Sequence, residues 1–208
     1  MERKVALFDF DKTLIDQDSI FLLWKYAIRK HPLYLFFFLR KLFPKLFLWI
    51  FSRFNFTHIK NGLLSIFHKL EKEELEEFVY EVLPLHFFPE GLKTIEDLKK
   101  DGYILFLVSA SPEIYLEYIK NILPFHYIMG TKTNKEFQMI GKNNRQEEKV
   151  RRIHECCKEN NIKIDYENSI SFSDSYHADH PMMELTKNRY LINSNFKKEG
   201  YKHFSWKL

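Results

Sequence analysis

Residues 7–14 read LFDFDKTL, and this stretch decides how the rest of the chain is interpreted. It lies in an apolar run, VALFDF at residues 5–10, whose branched and aromatic side chains are typical of a buried strand. Asp9 and Asp11 admit two interpretations. Either they form the solvent face of an alternating edge strand, or they mark the place where a buried strand delivers carboxylates to a site. The remainder of the chain distinguishes between the two.

The segments that follow alternate between helices and strands. Apolar runs at residues 103–108, 169–174 and 189–193 predict three further buried strands, and amphipathic stretches between them predict helices. This alternation is typical of a parallel sheet in an α/β fold. Because ligands bind beyond the carboxyl ends of parallel strands, the residues just after each strand are the candidates for a site.

Polar residues follow three of these strands. A single acid at a strand end is often a helix cap. Four carboxylates and a hydroxyl at three strand ends of one sheet are not explained by capping, so they predict a common site. The residues at the strand ends are Asp9, Asp11, Ser109, Ala110, Asp174 and Asp179, and Lys149 lies near the start of a predicted helix.

The chemistry that this set suggests is phosphoryl transfer through a covalent aspartyl phosphate. Asp9 is the candidate nucleophile, and Asp11 is the candidate acid that protonates the leaving oxygen and later activates water. The transferring group needs positive charge and hydrogen-bond donors around it. Lys149, the Ser109 hydroxyl and the backbone N–H groups near Ala110 can supply them.

A divalent cation is expected at the same place, because a carboxylate nucleophile and a phosphate dianion repel each other. Mg²⁺ prefers oxygen ligands and is bound by few carboxylates. Asp9, Asp174 and the backbone carbonyl of Asp11 can meet that need. The sequence therefore predicts a Mg²⁺-dependent enzyme.

The chain resembles the haloacid dehalogenase (HAD) superfamily of phosphatases at four motifs that occur in the expected order. DFDKT at 9–13 resembles the first motif, LVSAS at 107–111 the second, Lys149 the third, and SDSYHAD at 173–179 the fourth. LVSASPE and EEKVRR are also similar to the phosphoserine phosphatase-like subfamily IB. The resemblance implies a Rossmann-like core with a parallel sheet and a helical cap inserted after the first strand.

The resemblance implies the roles already given and adds three more. Thr13 supports the loop of the first motif, Asp18 is a substrate-facing acid, and Asp179 orients either the metal ligands or Lys149. Two departures from the family pattern stand out. Lys12 occupies a position that is often Gly, Asn or Ser, and the two acids of the fourth motif are one residue farther apart than in many relatives.

The expected cap spans residues 16–86, and residues 1–15 and 87–208 form the expected catalytic core. Residues 19–70 contain nine Lys or Arg, no Asp or Glu, and 14 of the 35 aromatic residues. The remainder has 23 basic and 28 acidic residues. The chain thus carries a basic, aromatic segment within an acidic remainder.

Residues 31–56 are rich in Phe, Leu and Trp, yet charged residues divide them into runs too short to span a bilayer. One interpretation is a pair of short helices lying in a membrane interface, with basic side chains at the lipid headgroups. The other is that the aromatic residues form the core of the cap. The interrupting residues are Arg40, Lys41, Pro44 and Lys45.

These features predict a phosphomonoester hydrolase that acts on a phosphorylated lipid or small molecule. A lipid substrate such as phosphatidylglycerophosphate is suggested by similarity to phosphatidylglycerophosphatase C, which combines the same motifs with a basic apolar insert. The alternative is a small soluble monoester such as phosphoserine, whose ammonium Asp18 can meet. A non-enzymatic nucleic-acid-binding protein is disfavoured by the intact catalytic set, so no nucleic-acid partner is expected.

The two cysteines, Cys156 and Cys157, are adjacent and form no disulfide framework, which is typical of a reducing compartment. The first ten residues lack the apolar region of a secretory signal. We therefore expect a cytoplasmic protein, with peripheral membrane contact through residues 31–56 if the first interpretation of that segment holds.

Overall fold

The computed structural model of the protein describes residues 2–33, 36, 67 and 70–208. The strands in this part of the chain are short, and most lie in one sheet. They are β1 (Glu2–Arg3), β2 (Val5–Phe8), β3 (Ile104–Pro112), β4 (Tyr127–Thr131), β5 (Lys163–Ile164), β6 (Ile170–Ser173), β7 (Asn188–Ile192) and β8 (Lys202–Phe204).

Six strands form a parallel sheet in the order β4-β3-β2-β6-β7-β8, and β1 pairs separately with β5. Strand β2 lies in the middle of the sheet, with β3 on one side and β6 on the other. All four of its residues are buried, which explains its continuous apolar run. The predicted α/β fold with a parallel-sheet core is confirmed.

Helices follow the strands on both faces of the sheet, as parallel connections require. Helix α3 begins at Pro89, which suits the first helical position because it has no N–H to satisfy there. The helices are α1 (Ser19–Lys30), α2 (Lys72–Glu77), α3 (Pro89–Lys100), α4 (Glu113–Leu116), α5 (Glu147–Glu159) and α6 (Tyr176–Met183). A π-helical turn at Phe78–Val82 continues α2.

The larger hydrophobic core joins the sheet to the described part of the expected cap. Phe8 stacks on Phe172 of the neighbouring strand, with ring centroids 4.6 Å apart. Leu23 of α1 and Phe78 belong to the same buried cluster, and Phe78 packs edge-on against Tyr115. Helix α1 therefore shares its core with the parallel sheet.

The two ends of the expected insert lie side by side. Ile15 forms an antiparallel bridge with Phe87, and the Asp16 N–H donates to the His86 carbonyl at 3.1 Å. The Phe88 N–H donates to the Leu14 carbonyl at 2.9 Å. A segment that leaves and rejoins the core at one place can vary without changing the sheet.

The expectation for residues 31–56 falls almost wholly outside the described residues, which include only 31–33 and 36 of that range. Among the residues that are described, no helix is long and apolar enough to cross a bilayer.

One helix boundary differs from the sequence-based prediction. Ser111 followed by Pro112 predicts an N-cap and a first helical residue. Instead β3 continues to Pro112, which pairs with Thr131 of β4, and α4 begins at Glu113. Pairing with the neighbouring strand keeps this segment extended, so Ser111 lies at the strand end rather than at a helix cap.

Candidate active site

A cavity of about 380 Å³ opens at the carboxyl ends of β3, β2 and β6. These strands are neighbours in the sheet, so their ends bring residues distant in the chain to one place. The residues that line the cavity are Asp9, Asp11, Lys12, Asp18, Ile20, Ala110, Ser111, Asn143, Arg145, Lys149, Asp174, Ala178 and Asp179.

Asp9 is held at the bottom of the cavity by three contacts. Its N–H donates to the Phe172 carbonyl at 3.0 Å, which extends the pairing of β2 with β6 by one residue. Its Oδ1 accepts from Lys149 Nζ at 2.7 Å, and its Oδ2 accepts from Thr13 Oγ1 at 3.0 Å. The carboxylate is therefore fixed in direction, and the side chain remains 10% exposed, toward the cavity.

Lys149 projects from the first turn of α5 into the space between two acids. Its Nζ lies 2.7 Å from Asp9 Oδ1 and 2.7 Å from Asp179 Oδ1. Burial lowers the pKa of Lys149, but the two carboxylates outweigh that effect and raise it overall. The ammonium therefore stays charged although it is 1% exposed.

Asp179 is fixed in turn by the fourth motif. The Ser173 hydroxyl donates to Asp179 Oδ2 at 2.6 Å, and the Asp179 N–H donates to the Ser175 carbonyl at 3.1 Å. Because Asp179 lies in the first turn of α6, the longer spacing from Asp174 still brings both acids to the site.

Thr13 connects the first motif to the fourth. Its hydroxyl donates to Asp9 and accepts from the Asp174 N–H at 2.9 Å. The side chain is fully buried, so both bonds are shielded from water.

Three carboxylates form a group that suits a divalent cation. Asp9, Asp174 and Asp179 offer oxygen atoms that all lie within 4.8 Å of one another. Burial is the main cause that raises the pKa of Asp9, and burial and Asp179 raise that of Asp174 to about 6. A set of carboxylate oxygens at this spacing fits Mg²⁺.

This group of side chains is not the whole of the expected ligand set, which also includes a backbone carbonyl. Asp11 was expected to contribute its backbone carbonyl, and its carboxylate lies outside the cluster of three acids. Asp179 takes the third place in that cluster, although it also pairs with Lys149.

The Asp11 carboxylate is held by the start of α1 and by the end of β3. The Ser19 N–H donates to Oδ1 and the Ser111 hydroxyl donates to Oδ2, each at 2.5 Å. Burial raises the pKa of Asp11, and the bonds from Ser111 and Ser19 oppose that effect without cancelling it.

A chain of buried hydroxyl groups extends from this carboxylate. Ser111 Oγ lies 3.0 Å from Ser19 Oγ, which lies 2.7 Å from the Tyr115 hydroxyl. When Asp11 is ionised it can only accept, so the protons point in one direction, from Tyr115 through Ser19 and Ser111 to Asp11. We did not predict Ser19 or Tyr115 from the sequence, and Ser111 was interpreted as a helix cap.

Ser109 and Ala110 lie beside these groups at the end of β3. Ser109 is fully buried, and its oxygen accepts from the Ser111 N–H at 3.0 Å. This bond fixes the backbone at the end of β3. Ala110 lines the cavity, whereas Ser109 stands behind the wall.

Asp18 and Lys12 form an ion pair at the cavity mouth, with Nζ and Oδ2 2.7 Å apart. Both side chains are about half exposed. Lys12 has a φ of 59°, in the left-handed region that favours Gly and Asn. A lysine holds this conformation at some cost in strain.

A family model described as haloacid dehalogenase-like hydrolase matches residues 6–184, which is most of the chain. No protein in a search of curated proteins matches the sequence.

Solved structures share the fold at low identity. A protein of unknown function from Bordetella pertussis Tohama I has a TM-score of 0.76 at 18% identity, with 94% of this chain and 92% of that chain covered. A phosphoserine phosphatase, solved as an analogue of its phospho-aspartyl intermediate, has a TM-score of 0.62 at 19% identity, with 93% and 88% covered. A phosphoserine phosphohydrolase-like protein from Francisella tularensis subsp. tularensis SCHU S4 has a TM-score of 0.60 at 20% identity, with 95% and 90% covered.

At these identities the neighbours establish the fold, and the match over residues 6–184 establishes the family. It also confirms the prediction that the chain is a hydrolytic enzyme. The assignment to subfamily IB and the likeness to phosphatidylglycerophosphatase C stay predictions. The chain belongs to the haloacid dehalogenase-like hydrolase family.

Proposed function

We propose that this protein is a phosphomonoester hydrolase that works through an aspartyl phosphate on Asp9. The observation that carries the proposal is the position of the Asp9 carboxylate, fixed between Lys149 and Thr13 at the bottom of the cavity. A phosphoserine phosphatase with the same fold, solved as an analogue of its phospho-aspartyl intermediate, supports it.

In the first step, an Asp9 carboxylate oxygen attacks the phosphorus of the bound ester. A P–O bond to Asp9 forms while the P–O bond to the alcohol breaks, and Asp11 gives its proton to the leaving oxygen. Burial raises the pKa of Asp11, which favours the protonated form that this step needs.

In the second step, Asp11 acts as a base. It takes a proton from a water molecule, whose oxygen attacks the phosphorus of the aspartyl phosphate. The bond to Asp9 breaks, inorganic phosphate leaves, and both aspartates return to their starting states. The bonds from Ser19 and Ser111 stabilise the ionised form of Asp11 that begins this step.

The phosphoryl group is bound by Lys149 and by backbone N–H groups near Ala110. The ammonium of Lys149 offsets negative charge on the equatorial oxygens. Ser109 supports the end of β3 from behind the cavity wall, where its oxygen accepts from the Ser111 N–H. Asp179 holds Lys149 in place from the other side. Asp18 lies at the mouth, where the alcohol part of the substrate enters.

Mg²⁺ is the proposed cofactor. Asp9 and Asp174 would hold it together with the carbonyl of Asp11, and Asp179 lies close enough to orient that group. When bound, the cation neutralises phosphate charge and so reduces its repulsion from the Asp9 carboxylate.

We also propose that residues 16–86 form a cap on a core made of residues 1–15 and 87–208. Support comes from the bridge between Ile15 and Phe87, which brings the two boundaries together. Helix α1 then begins the cap, and its first N–H contacts Asp11.

For the substrate we favour a lipid phosphate or another amphiphilic monoester. Residues 19–70 have nine basic and no acidic residues, which suits an anionic membrane surface. Three large apolar side chains in or near the start of that segment are exposed, namely Phe21, Leu33 and Phe36. The alternative is a small soluble monoester such as phosphoserine.

The test is hydrolysis of a panel of phosphomonoesters by the purified protein, with and without detergent, in Mg²⁺ and after chelation. We expect Mg²⁺-dependent release of phosphate, with lipid esters preferred in detergent. Asp9→Asn keeps the size of the side chain but removes the nucleophile, so it should be inactive at an unchanged melting temperature. Activity of a folded Asp9→Asn protein equal to wild type would overturn the assignment.

A further inference from the structure

Three cationic side chains line the cavity, and two of them are paired with acids. Lys149 lies between Asp9 and Asp179, and Lys12 pairs with Asp18. In the part of the chain that the structure describes, the third cation, Arg145, forms no ion pair and no side-chain hydrogen bond. Its charge is therefore available to a ligand in the cavity.

Arg145 and Lys149 reach the cavity at different depths. Lys149 is buried against Asp9, where the phosphoryl group is proposed to bind. Arg145 is exposed and precedes α5, so it lies on the solvent side of the same cavity. An anion bound by Arg145 is thus a different group from the one that Asp9 attacks.

The residue before Arg145 is firmly anchored. Asn144 is fully buried, and its side-chain amide donates to the carbonyls of Ser109 and Met129, each at 2.9 Å. The Asn144 N–H donates to Thr131 Oγ1 at 3.1 Å. Because this anchor holds the loop against β3 and β4, Arg145 is presented from a rigid base, which lowers the entropy lost on binding.

We propose that Arg145 binds a second anionic group on the alcohol part of the substrate. The substrate class is then a phosphomonoester that also carries a carboxylate or a phosphodiester. A guanidinium donates two parallel N–H bonds to either group, which suits both equally. This inference rests on the proposed phosphatase function and narrows it, because a monoester whose alcohol is neutral or only cationic leaves Arg145 unused.

The experiment compares matched esters that differ in the second anion. Phosphoserine against phosphoethanolamine removes a carboxylate and keeps the ammonium. Phosphatidylglycerophosphate against phosphatidic acid, in mixed micelles, removes a phosphodiester. Each compound is assayed as a substrate and as a competitive inhibitor of p-nitrophenyl phosphate hydrolysis, so binding is measured even where turnover is slow.

We expect wild type to bind the two-anion member of at least one pair more tightly. Arg145→Gln should raise KM or Ki for that member by about threefold to fivefold, the range of an exposed charge pair. The one-anion member and p-nitrophenyl phosphate should be unchanged, and kcat should change little. Arg145→Lys should give a smaller loss.

The matched control is Arg151→Gln. Arg151 lies on α5 outside the cavity and pairs with Glu148 and Glu155, so its loss should leave every ratio as in wild type. The matched pair of esters whose preference is lost in Arg145→Gln identifies the second anion as a carboxylate or as a lipid phosphodiester.

Two results have different meanings. If wild type hydrolyses p-nitrophenyl phosphate but shows no preference within either pair, or Arg145→Gln leaves the preference intact, the inference about Arg145 is overturned and the phosphatase proposal stands. If wild type hydrolyses no monoester in Mg²⁺, the proposed function itself is overturned.

Discussion

In the proposed mechanism, Asp11 has to meet two demands that conflict. A general acid needs a raised pKa, and burial supplies it. A base in the following step needs a stable carboxylate, and the bonds from Ser19 and Ser111 supply that. The buried hydroxyl chain that ends at Tyr115 orients the Ser111 hydroxyl so that its proton points at Asp11. Both carboxylate oxygens of Asp11 therefore have fixed hydrogen-bond partners.

Ser111→Ala should therefore impair proton transfer more than substrate binding. A bond to a charged group contributes about 1.5–3 kcal/mol, so we expect kcat/KM for an alkyl phosphate to fall about tenfold or more. Hydrolysis of p-nitrophenyl phosphate should fall much less, because its leaving group needs no proton. The measurement is kcat/KM for both esters.

Tyr115→Phe should show the same pattern with a smaller loss, because its hydroxyl acts through Ser19. Tyr26→Phe is the control, since Tyr26 is a buried tyrosine of α1 outside the hydroxyl chain. Equal slowing of the alkyl and aryl esters by Ser111→Ala would show that the residue does not act through Asp11.

Site residues that directly follow a strand can be predicted from the sequence. Those whose contacts form only through tertiary packing cannot. Asp9, Asp174 and Lys149 are recognisable from their positions after strands or at the start of a helix. Ser19 and Tyr115 are not, because their hydroxyl groups meet only when α1 and α4 pack together. Arg145 has no local pattern that distinguishes it from a loop arginine.

At the scale of elements, the site depends on how the strands end and how α5 begins. Gln146 is the N-cap of α5, three residues before Lys149, and has a φ of 51° and a ψ of −125°. A side chain with a Cβ is strained there, by about 1–3 kcal/mol. The helix that places Lys149 thus begins from an unfavourable backbone conformation.

Gln146→Gly should relieve this strain. Glycine adopts the conformation freely but loses more entropy on folding, so we expect a net gain of about 1 kcal/mol in the free energy of unfolding. Chemical denaturation measures the difference. Lys158→Gly, in the last turn of the same helix, is the control and should lose about 1 kcal/mol. A lower free energy of unfolding for Gln146→Gly than for wild type would contradict the claim that the backbone at this position is strained.

Apolar runs predict the central strands well and the short or fully exposed strands poorly. Strands β2, β3, β6 and β7 are apolar runs, so their existence follows from the sequence. The edge strand β8 has three exposed residues and no such run, and β1 and β5 have two residues each. Pairing with neighbours defines these strands, and a single sequence does not display it.

For the whole molecule, the acidic cluster links stability, pH and metal. Between pH 3.8 and about 6 the folded, metal-free protein holds a proton on Asp174 that the unfolded chain has lost. Its stability therefore falls as the pH rises through this window. In the proposed metal site, Mg²⁺ would bind the deprotonated carboxylates and so compete with that proton.

Mg²⁺ should raise the melting temperature, and by more at pH 8 than at pH 5. At saturating metal we expect a difference between the two shifts of about 3 °C or more. Asp174→Asn should greatly reduce the shift at pH 8. Equal melting temperatures with Mg²⁺ and with a chelator at both pH values would rule out the metal site.

The charge of the insert gives a second prediction for the whole molecule. The protein should sediment with anionic vesicles at low salt, since each basic residue near such a surface contributes about 1 kcal/mol. Binding should weaken at high salt and with neutral lipid. Three Gln substitutions in the insert should reduce vesicle binding without affecting hydrolysis of a soluble ester. The substituted residues are Arg40, Lys41 and Lys45.

The control replaces three exposed lysines of α3 by Gln, and α3 belongs to the proposed core domain rather than to the cap. The three positions are Lys93, Lys99 and Lys100. It removes the same charge and should leave vesicle binding intact. If wild type ignores anionic vesicles, the aromatic residues form the core of the cap, and the soluble substrate becomes the better proposal.

The covalent step on Asp9 is tested most directly by trapping it. The enzyme is mixed with an intact ester that it is known to hydrolyse, and the reaction is quenched in acid within one turnover. The quenched protein is then reduced with borohydride, which converts an aspartyl phosphate to homoserine. Our account predicts homoserine at position 9 by peptide mass spectrometry, and none in Asp9→Asn. Turnover with no modified residue, or with the modification at a residue other than Asp9, would contradict it.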